Sequence, residues 1–332
     1  MAGSSKRYDS INGLRTFACI GITMMHVLVN LDFELEGFVF KRFIPSFTNF
    51  VFLFMTISAF GMCCGYFEKV LSGNIDLADF YGKRYKRILP FFLILCLLDI
   101  ASGPELGKVY ETIVNASLGL GFIPEVQFNV IGVAWFLGVV FVFYFIFPFF
   151  CVLLSDKKRA WFVLGFSYVL HLICRYYFEL ERHNMLYCLV FFMAGGIIYL
   201  YRDRIKERPY VKWVSLILMI VSPCLIYTVG YFTIFMLIFG ASALCLAISL
   251  EGKNILNNRF TAFLGGISFE VYLSHMLAFR ILEKLHLLRL TSNDYVNYFI
   301  TEILVLAIAI TFSVVVKKLI DRFIFGNKEK SK

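Results

Sequence analysis

Charge is scarce in this chain. Only 17% of its 332 residues are Asp, Glu, Lys or Arg, and Trp213 to Leu250 contains none of the four; a soluble domain carries about a quarter. A charge-free run of 38 residues is no solvated surface. At about 1.5 Å per helical residue it has the length of roughly two bilayer crossings. Also missing are a phosphate-cradling glycine loop, a dinucleotide fingerprint, a Gly-x-Ser-x-Gly elbow, and any His or carboxylate set at metal-ligand spacing. The nine cysteines lack the paired spacings of a zinc site and the even count of a fully bridged scaffold, so they read as small buried hydrophobes. These absences exclude a nucleic-acid-binding domain, a secreted disulfide scaffold and a disordered chain.

What is present is apolar: 60% of the residues are hydrophobic, 18% are aromatic, and the mean hydropathy is +0.77. Apolar windows predict ten helices, at about 13–31, 44–66, 88–103, 131–154, 160–174, 185–201, 213–229, 231–250, 262–280 and 296–316. A turn around Gly230 separates the seventh from the eighth. The longest polar connection, Gly103 to Val130, is expected to carry a short surface helix around Tyr110 to Leu118. The N-terminal stretch is basic before an apolar run, but that run holds a His and lacks a small-residue cleavage site, so it reads as a retained first span. The expected fold class is an all-α polytopic membrane bundle of about ten transmembrane helices, forming one integral-membrane domain over 1–332. Alternate loops sort the charge: with the N-terminus inside, 24 of the 32 Lys and Arg fall on the inner side, and the first outer loop carries Asp32, Glu34 and Glu36. Inner loops collect positive charge, so both termini are expected to be cytoplasmic.

Ionisable groups inside spans cost at least a few kcal/mol and mark functional candidates. Arg15 and His26 lie eleven residues apart on the first helix, about 1100° of rotation, and so share one face at a separation of about 16 Å along the axis. Arg15 reads either as a topology anchor or as part of a site. On the ninth predicted helix, Ser268, Tyr272 and His275 share one side at offsets of four and three, with Glu270 among them. Counted from Thr261, His275 is roughly 20 Å deep, level with His26, so the two histidines can meet across the bundle. Interhelical polar contact is the alternative reading for Ser268 and Tyr272. Asp99 either orients a histidine or marks the outer end of its span. His171 is a weaker candidate because a lone His near a helix end usually satisfies a local bond, and His183 and His286 fall in outer loops. The inner segment FYGKRYKRILP, Phe80 to Pro90, places Arg84 and Arg87 three apart at the inner mouth. Paired guanidinium groups suit a phosphorylated ligand, although positive-inside charge accounts for the same residues.

Five stretches resemble the bacterial membrane acyltransferase 3 family, multi-pass enzymes that O-acylate surface and exported carbohydrates. INGLRTFACIGITMMH resembles the family's Arg, ten residues, His signature with Arg15 and His26. FVFLFMTISAF resembles its second-helix element, keeping Ser58 and Phe60 with Ala59 where Gly is usual. FYGKRYKRILPFF matches its Phe, Arg-x-x-Arg and Pro pattern at Phe80, Arg84, Arg87 and Pro90. GVAWFLGVVFVFYFIFP resembles its Trp helix with Trp135, Tyr144 and Pro148. LGGISFEVYLSHM resembles its late element with Ser268, Tyr272 and His275. The chain departs from the pattern after Trp135, where many members carry a Glu and Val140 and Phe141 stand here. It also ends soon after the tenth predicted span, without the fused extracytoplasmic domain of longer relatives.

The resemblance implies an acyl-CoA donor, acetyl-CoA in the first instance, and a carbohydrate acceptor such as exopolysaccharide, capsule or O-antigen, at the bacterial inner membrane and within the lipid bilayer. Arg15, Arg84 and Arg87 would hold the CoA phosphates, and His26 would act as general base. His275, Tyr272 or Asp99 would orient it or stabilise an oxyanion. Ser58, Trp135, Ser268 and Glu270 would line or support the site, with no metal and no nucleic acid involved. Intramembrane His, Arg and Asp also mark translocation paths, so a glycan or lipid-linked precursor flippase is the competing class. The missing Glu leaves a non-catalytic sensor as a third reading.

Overall fold

A computed structural model of the chain describes residues 8–123, 130–229, 233–250, 252–323 and 326. All regular elements among the described residues are helices, with no β-strand. Eleven α-helices follow in order: α1 (Ser10–Asn30), α2 (Phe50–Leu71), α3 (Leu77–Ser102), α4 (Leu106–Ala116), α5 (Trp135–Leu154), α6 (Lys157–Tyr176), α7 (Met185–Glu207), α8 (Pro209–Val229), α9 (Thr233–Ser249), α10 (Arg259–Lys284) and α11 (Asp294–Phe323). Each of the ten predicted windows overlaps one long helix, several of which run past their windows, and the surface helix exists as α4, starting four residues earlier than expected. The turn at Gly230, the N-terminal Lys6 and Arg7, and the C-terminal Lys328, Lys330 and Lys332 lie outside the described residues.

Length and apolarity qualify fewer helices as crossings than the windows imply. Seven described segments are long and apolar enough to cross a membrane; α9 is apolar but has 17 residues, about 25 Å against a hydrocarbon core of about 30 Å. Helices α3 and α6 do not qualify: α3 carries Lys83, Arg84, Lys86 and Arg87 in its second and third turns and Asp99 near its end, and α6 carries Lys157, Lys158 and Arg159 in its first turn and Arg175 in its last. The basic segment expected as a loop before the third span is itself helical. Asp76 caps it by accepting from the Asp79 N–H at 3.1 Å, and Lys83 pairs with Asp79 one turn back at 2.5 Å. The second window starts later than expected for a similar local reason: short π and 3-10 turns over Val39–Phe43 and Pro45–Asn49 precede α2.

Contacts between helix ends define two ends of the bundle. At one, Ser10 of α1 donates to the Leu250 carbonyl beyond α9, Trp161 of α6 donates to Tyr201 of α7, and Lys317 of α11 reaches Gly266 of α10. At the other, Arg182 between α6 and α7 donates to Thr48 before α2, Tyr227 of α8 meets Ser46, and Arg289 beyond α10 reaches Asp32 beyond α1. The first holds the segments rich in Lys and Arg and is called the basic end below. Helices α1, α2, α7 and α10 form the centre, while α8 leans chiefly on α9 and leaves Trp213, Ile217 and Ile220 exposed.

Close backbone approach holds the centre together. A side chain at Gly195 of α7 would run into the Thr56 carbonyl of α2, and beside it the Thr56 hydroxyl donates to the Phe191 carbonyl at 3.1 Å. Small residues at such crossings let helices pack where no hydrophobic drive separates protein from lipid. Gly195→Leu is therefore expected to lower the thermal unfolding midpoint of the detergent-solubilised protein, overpacking being worth about 1–3 kcal/mol. Gly65→Leu, a position with open space around it, is the control and should leave the midpoint unchanged.

Candidate active site

The site begins with the crossing of α1 and α10. Gly13 lies against the backbone of Leu256 and Gly265 against that of Asn12, contacts that any side chain would block. Thr16 donates to the Thr261 carbonyl at 3.1 Å, and the Cys19 thiol to the Ser268 carbonyl at 3.4 Å. Fixed at this spacing, the two helices deliver His26 and His275 to each other, with Nδ1 of His26 and Nε2 of His275 2.9 Å apart. The ring centroids are 4.9 Å apart and the planes differ by 23°, the geometry of an in-plane hydrogen bond rather than of a face-to-face stack.

Partners on the far side set the proton positions. Nδ1 of His275 lies 2.5 Å from the Tyr272 carbonyl, which can only accept, so that nitrogen carries a hydrogen. In the neutral pair, Nε2 of His275 then offers a lone pair into which Nδ1 of His26 donates. What remains is Nε2 of His26, unprotonated and able to take a proton from a substrate. His275 is fully buried, whereas His26 is partly exposed.

A cavity of about 350 Å³, within the range of ligand pockets, ends on Tyr272, whose ring neighbours that of His275; neither histidine lines it. Its basic-end mouth is formed by Arg15, Lys83, Arg84 and Arg87 with Tyr66 and Tyr144; Ser58, Val140 and Ser268 lie further in, and Phe54, Phe136 and Tyr272 form its inner end. Four cations and no carboxylate line it. Arg15, eleven residues before His26, reaches this mouth close to Gly61 of α2. Val140, in the stretch after Trp135 where the resemblance leads one to expect a Glu, faces the cavity as an apolar wall.

The remaining candidates divide. Arg84 and Arg87 line the same cavity but are not a matched pair of exposed forks. Arg84 is buried: its guanidinium donates to the Phe80 carbonyl at 2.5 Å and sits 3.8 Å and 4.2 Å from the ring centroids of Phe80 and Tyr66. Arg87 is exposed. Asp99 does not orient a histidine. It is 5% exposed and held by Arg280 at 2.7 Å and Lys108 at 3.1 Å, which ties α3 to α10 and α4. Glu270 turns away from the cavity to Lys317 of α11 at 3.2 Å. Tyr272 donates its hydroxyl to the Val133 carbonyl at 3.0 Å and turns its ring to His275, with centroids 5.8 Å apart. His171 is satisfied on both nitrogens, by the Tyr187 carbonyl and the Thr233 hydroxyl, each at 2.7 Å.

Trp135 lies at the end opposite the basic mouth, with the Arg182 guanidinium 5.0 Å from its ring and the His183 ring 5.0 Å away. Arg182 is close enough to act electrostatically on His26 and Tyr272. It carries no sequence signal, being one basic residue in a loop, and only the fold brings it here. Burial and the Arg182 charge hold the neighbouring His183 below its ordinary value, against the pull of Glu181, so that imidazole is neutral near pH 7. Among the described residues, no group of three or more His, Cys, Asp or Glu is placed to hold a metal.

The Asp99 cluster yields a direct test. If it is a structural tie, Asp99→Ala leaves Arg280 and Lys108 repelling each other, and the thermal unfolding midpoint should fall, as is usual when a buried charge partner is removed. A midpoint equal to that of the parent protein would contradict the structural assignment.

A family model described as an acyltransferase domain matches residues 8–318. No curated protein and no solved structure gives a significant match. The matched stretch runs from before α1 into the last turns of α11 and takes in both histidines and every wall of the cavity. The chain belongs to the acyltransferase 3 family.

Proposed function

We propose that this protein is a membrane O-acyltransferase that moves an acetyl group from acetyl-CoA, entering at the basic end, to a hydroxyl of a carbohydrate presented at the opposite end. The observation that carries this reading is the cavity: four cations and no carboxylate at its mouth, and a histidine pair beyond its inner end. A donor with several phosphates suits the first feature, and an acyl transfer needing a general base suits the second. Family membership favours this chemistry over a flippase.

In the reaction, the acceptor hydroxyl oxygen bonds to the thioester carbonyl carbon while Nε2 of His26 takes its proton. The imidazolium so formed keeps its Nδ1–H on Nε2 of His275, whose own Nδ1–H remains on the Tyr272 carbonyl. The C–S bond then breaks, and the proton passes to the departing CoA thiolate. His275 acts as the positioning residue: it fixes the tautomer and the ring orientation of His26. With His26 supplying the base, no carboxylate is required at Val140. The basic end is taken as cytoplasmic and the membrane as the bacterial inner membrane, because positive charge is retained on that side. The exported acceptor is a polysaccharide of the capsule, O-antigen or exopolysaccharide class.

His26→Ala is expected to lower acyl transfer by about 10²–10⁴-fold, the usual contribution of general base catalysis, with normal membrane insertion. Purified protein supplied with labelled acetyl-CoA and the surface polysaccharide of the source cells provides the measurement, and near-normal turnover by well-expressed His26→Ala protein would remove His26 from this role.

The cations divide by environment. Arg87→Lys keeps the charge and loses the planar fork; one lost charge-assisted contact is worth about 1.5–3 kcal/mol, so the donor KM should rise by about tenfold or more while the acceptor KM stays. Arg84→Lys also loses its packing between aromatic rings and should lower the thermal midpoint as well. An unchanged donor KM in the double Lys variant would leave the segment a topology signal alone.

A further inference from the structure

The inner end of the cavity carries chemical information that the cationic mouth does not. Three helices line the cavity with residues one turn apart: Tyr66, Met62, Ser58 and Phe54 along α2, Tyr144, Val140 and Phe136 along α5, and Gly265, Ser268 and Tyr272 along α10. Twelve residues of α2 span about 18 Å of depth. All three rows end on an aromatic ring. The centroids of Phe54, Phe136 and Tyr272 form a triangle with sides of 6.1, 5.6 and 6.4 Å, so each ring touches the other two. The Tyr272 ring is held in place by its hydroxyl on the Val133 carbonyl, and Phe136 packs against the buried Trp135. The next turn of α10 carries His275.

We propose that Phe54 and Phe136, closing on the Tyr272 ring, are the acyl-end wall of the donor cavity and restrict the donor to acetyl and similarly short groups. The inference rests on the acyl-CoA reading above and adds the selectivity of that site. With the CoA phosphates held at the mouth, the thioester comes to lie against the triangle, whose Tyr272 ring neighbours His275. A two-carbon group ends there, and each further methylene has to displace a packed ring. Packed interiors resist such displacement because neighbouring side chains have nowhere to move.

The test compares binding of CoA, acetyl-CoA and hexanoyl-CoA by isothermal titration to the full-length protein in detergent, for the parent, Phe136→Ala and Phe54→Ala. One methylene in a fitted pocket is worth about 10–200-fold in discrimination, so the parent should bind acetyl-CoA at least about tenfold more tightly than hexanoyl-CoA. The Ala variants should lose most of that ratio while binding CoA itself as the parent does. Phe136→Leu, which retains an apolar side chain, replaces Phe136→Ala if the latter does not give a cooperative thermal transition. Equal binding of the two acyl donors by the parent would overturn the proposal, as would an unchanged ratio in folded variants at both positions. Failure of the parent to bind CoA at all would instead overturn the acyl-CoA reading on which it rests.

Discussion

The crossing of α1 over α10 is the constraint on which the site depends. Two glycines, Gly13 and Gly265, let backbone meet backbone, and the Thr16 and Cys19 side chains donate across the contact. In lipid there is no hydrophobic gain from burying apolar surface between helices, so close packing and interhelical hydrogen bonds must supply the specificity. The geometry set at the start of both helices is carried along them as nearly rigid rods. It brings His26, eleven residues beyond Arg15, within hydrogen-bond reach of His275. A hydrogen bond between two rings tolerates only a few tenths of an ångström, and for that reason the glycines matter to chemistry they do not touch.

The histidine pair and the cationic mouth were legible in the sequence because each depends on one helix at a time. Rise and rotation place Arg15 and His26 on one face, and the same arithmetic puts His275 at matching depth. Asp99 was not legible in this way. Its partners, Arg280 on α10 and Lys108 on α4, are 181 and nine positions away in the chain, and nothing in the local pattern of α3 distinguishes a structural ion pair from a histidine partner. Arg84 misleads for a related reason. Its spacing from Arg87 is that of a shared face, but Phe80 and Tyr66 enclose one guanidinium and leave the other in the open.

The number of crossings is legible to the same limited degree. Apolar windows locate every long helix because hydrophobic runs are a property of the segment. Whether α3, α6 and α9 each traverse the full hydrocarbon thickness depends on tilt and, for α3 and α6, on how far their cationic N-terminal turns extend into the headgroup region, and both are set by neighbouring helices. Arg182 marks the far limit of such reading. Its place beside Trp135, with its charge felt at His26, arises from the fold of a loop with no periodic pattern.

The placement of the rings fits an enzyme that joins reactants from opposite sides of a sealed membrane. A water-filled path from the basic mouth to the opposite end would conduct protons and small ions, and a polar lining throughout would create one. Here the polar lining stops at the triangle of Phe54, Phe136 and Tyr272. The hydroxyl of Tyr272, the one polar atom among those three side chains, is spent on the Val133 carbonyl. The His26–His275 pair lies beyond, with its internal protons committed to each other and to the Tyr272 carbonyl. On the proposed reaction, the acyl group approaches from the basic end and the acceptor hydroxyl from the other, and the two meet at the Tyr272 ring, whose centroid is 5.8 Å from that of His275.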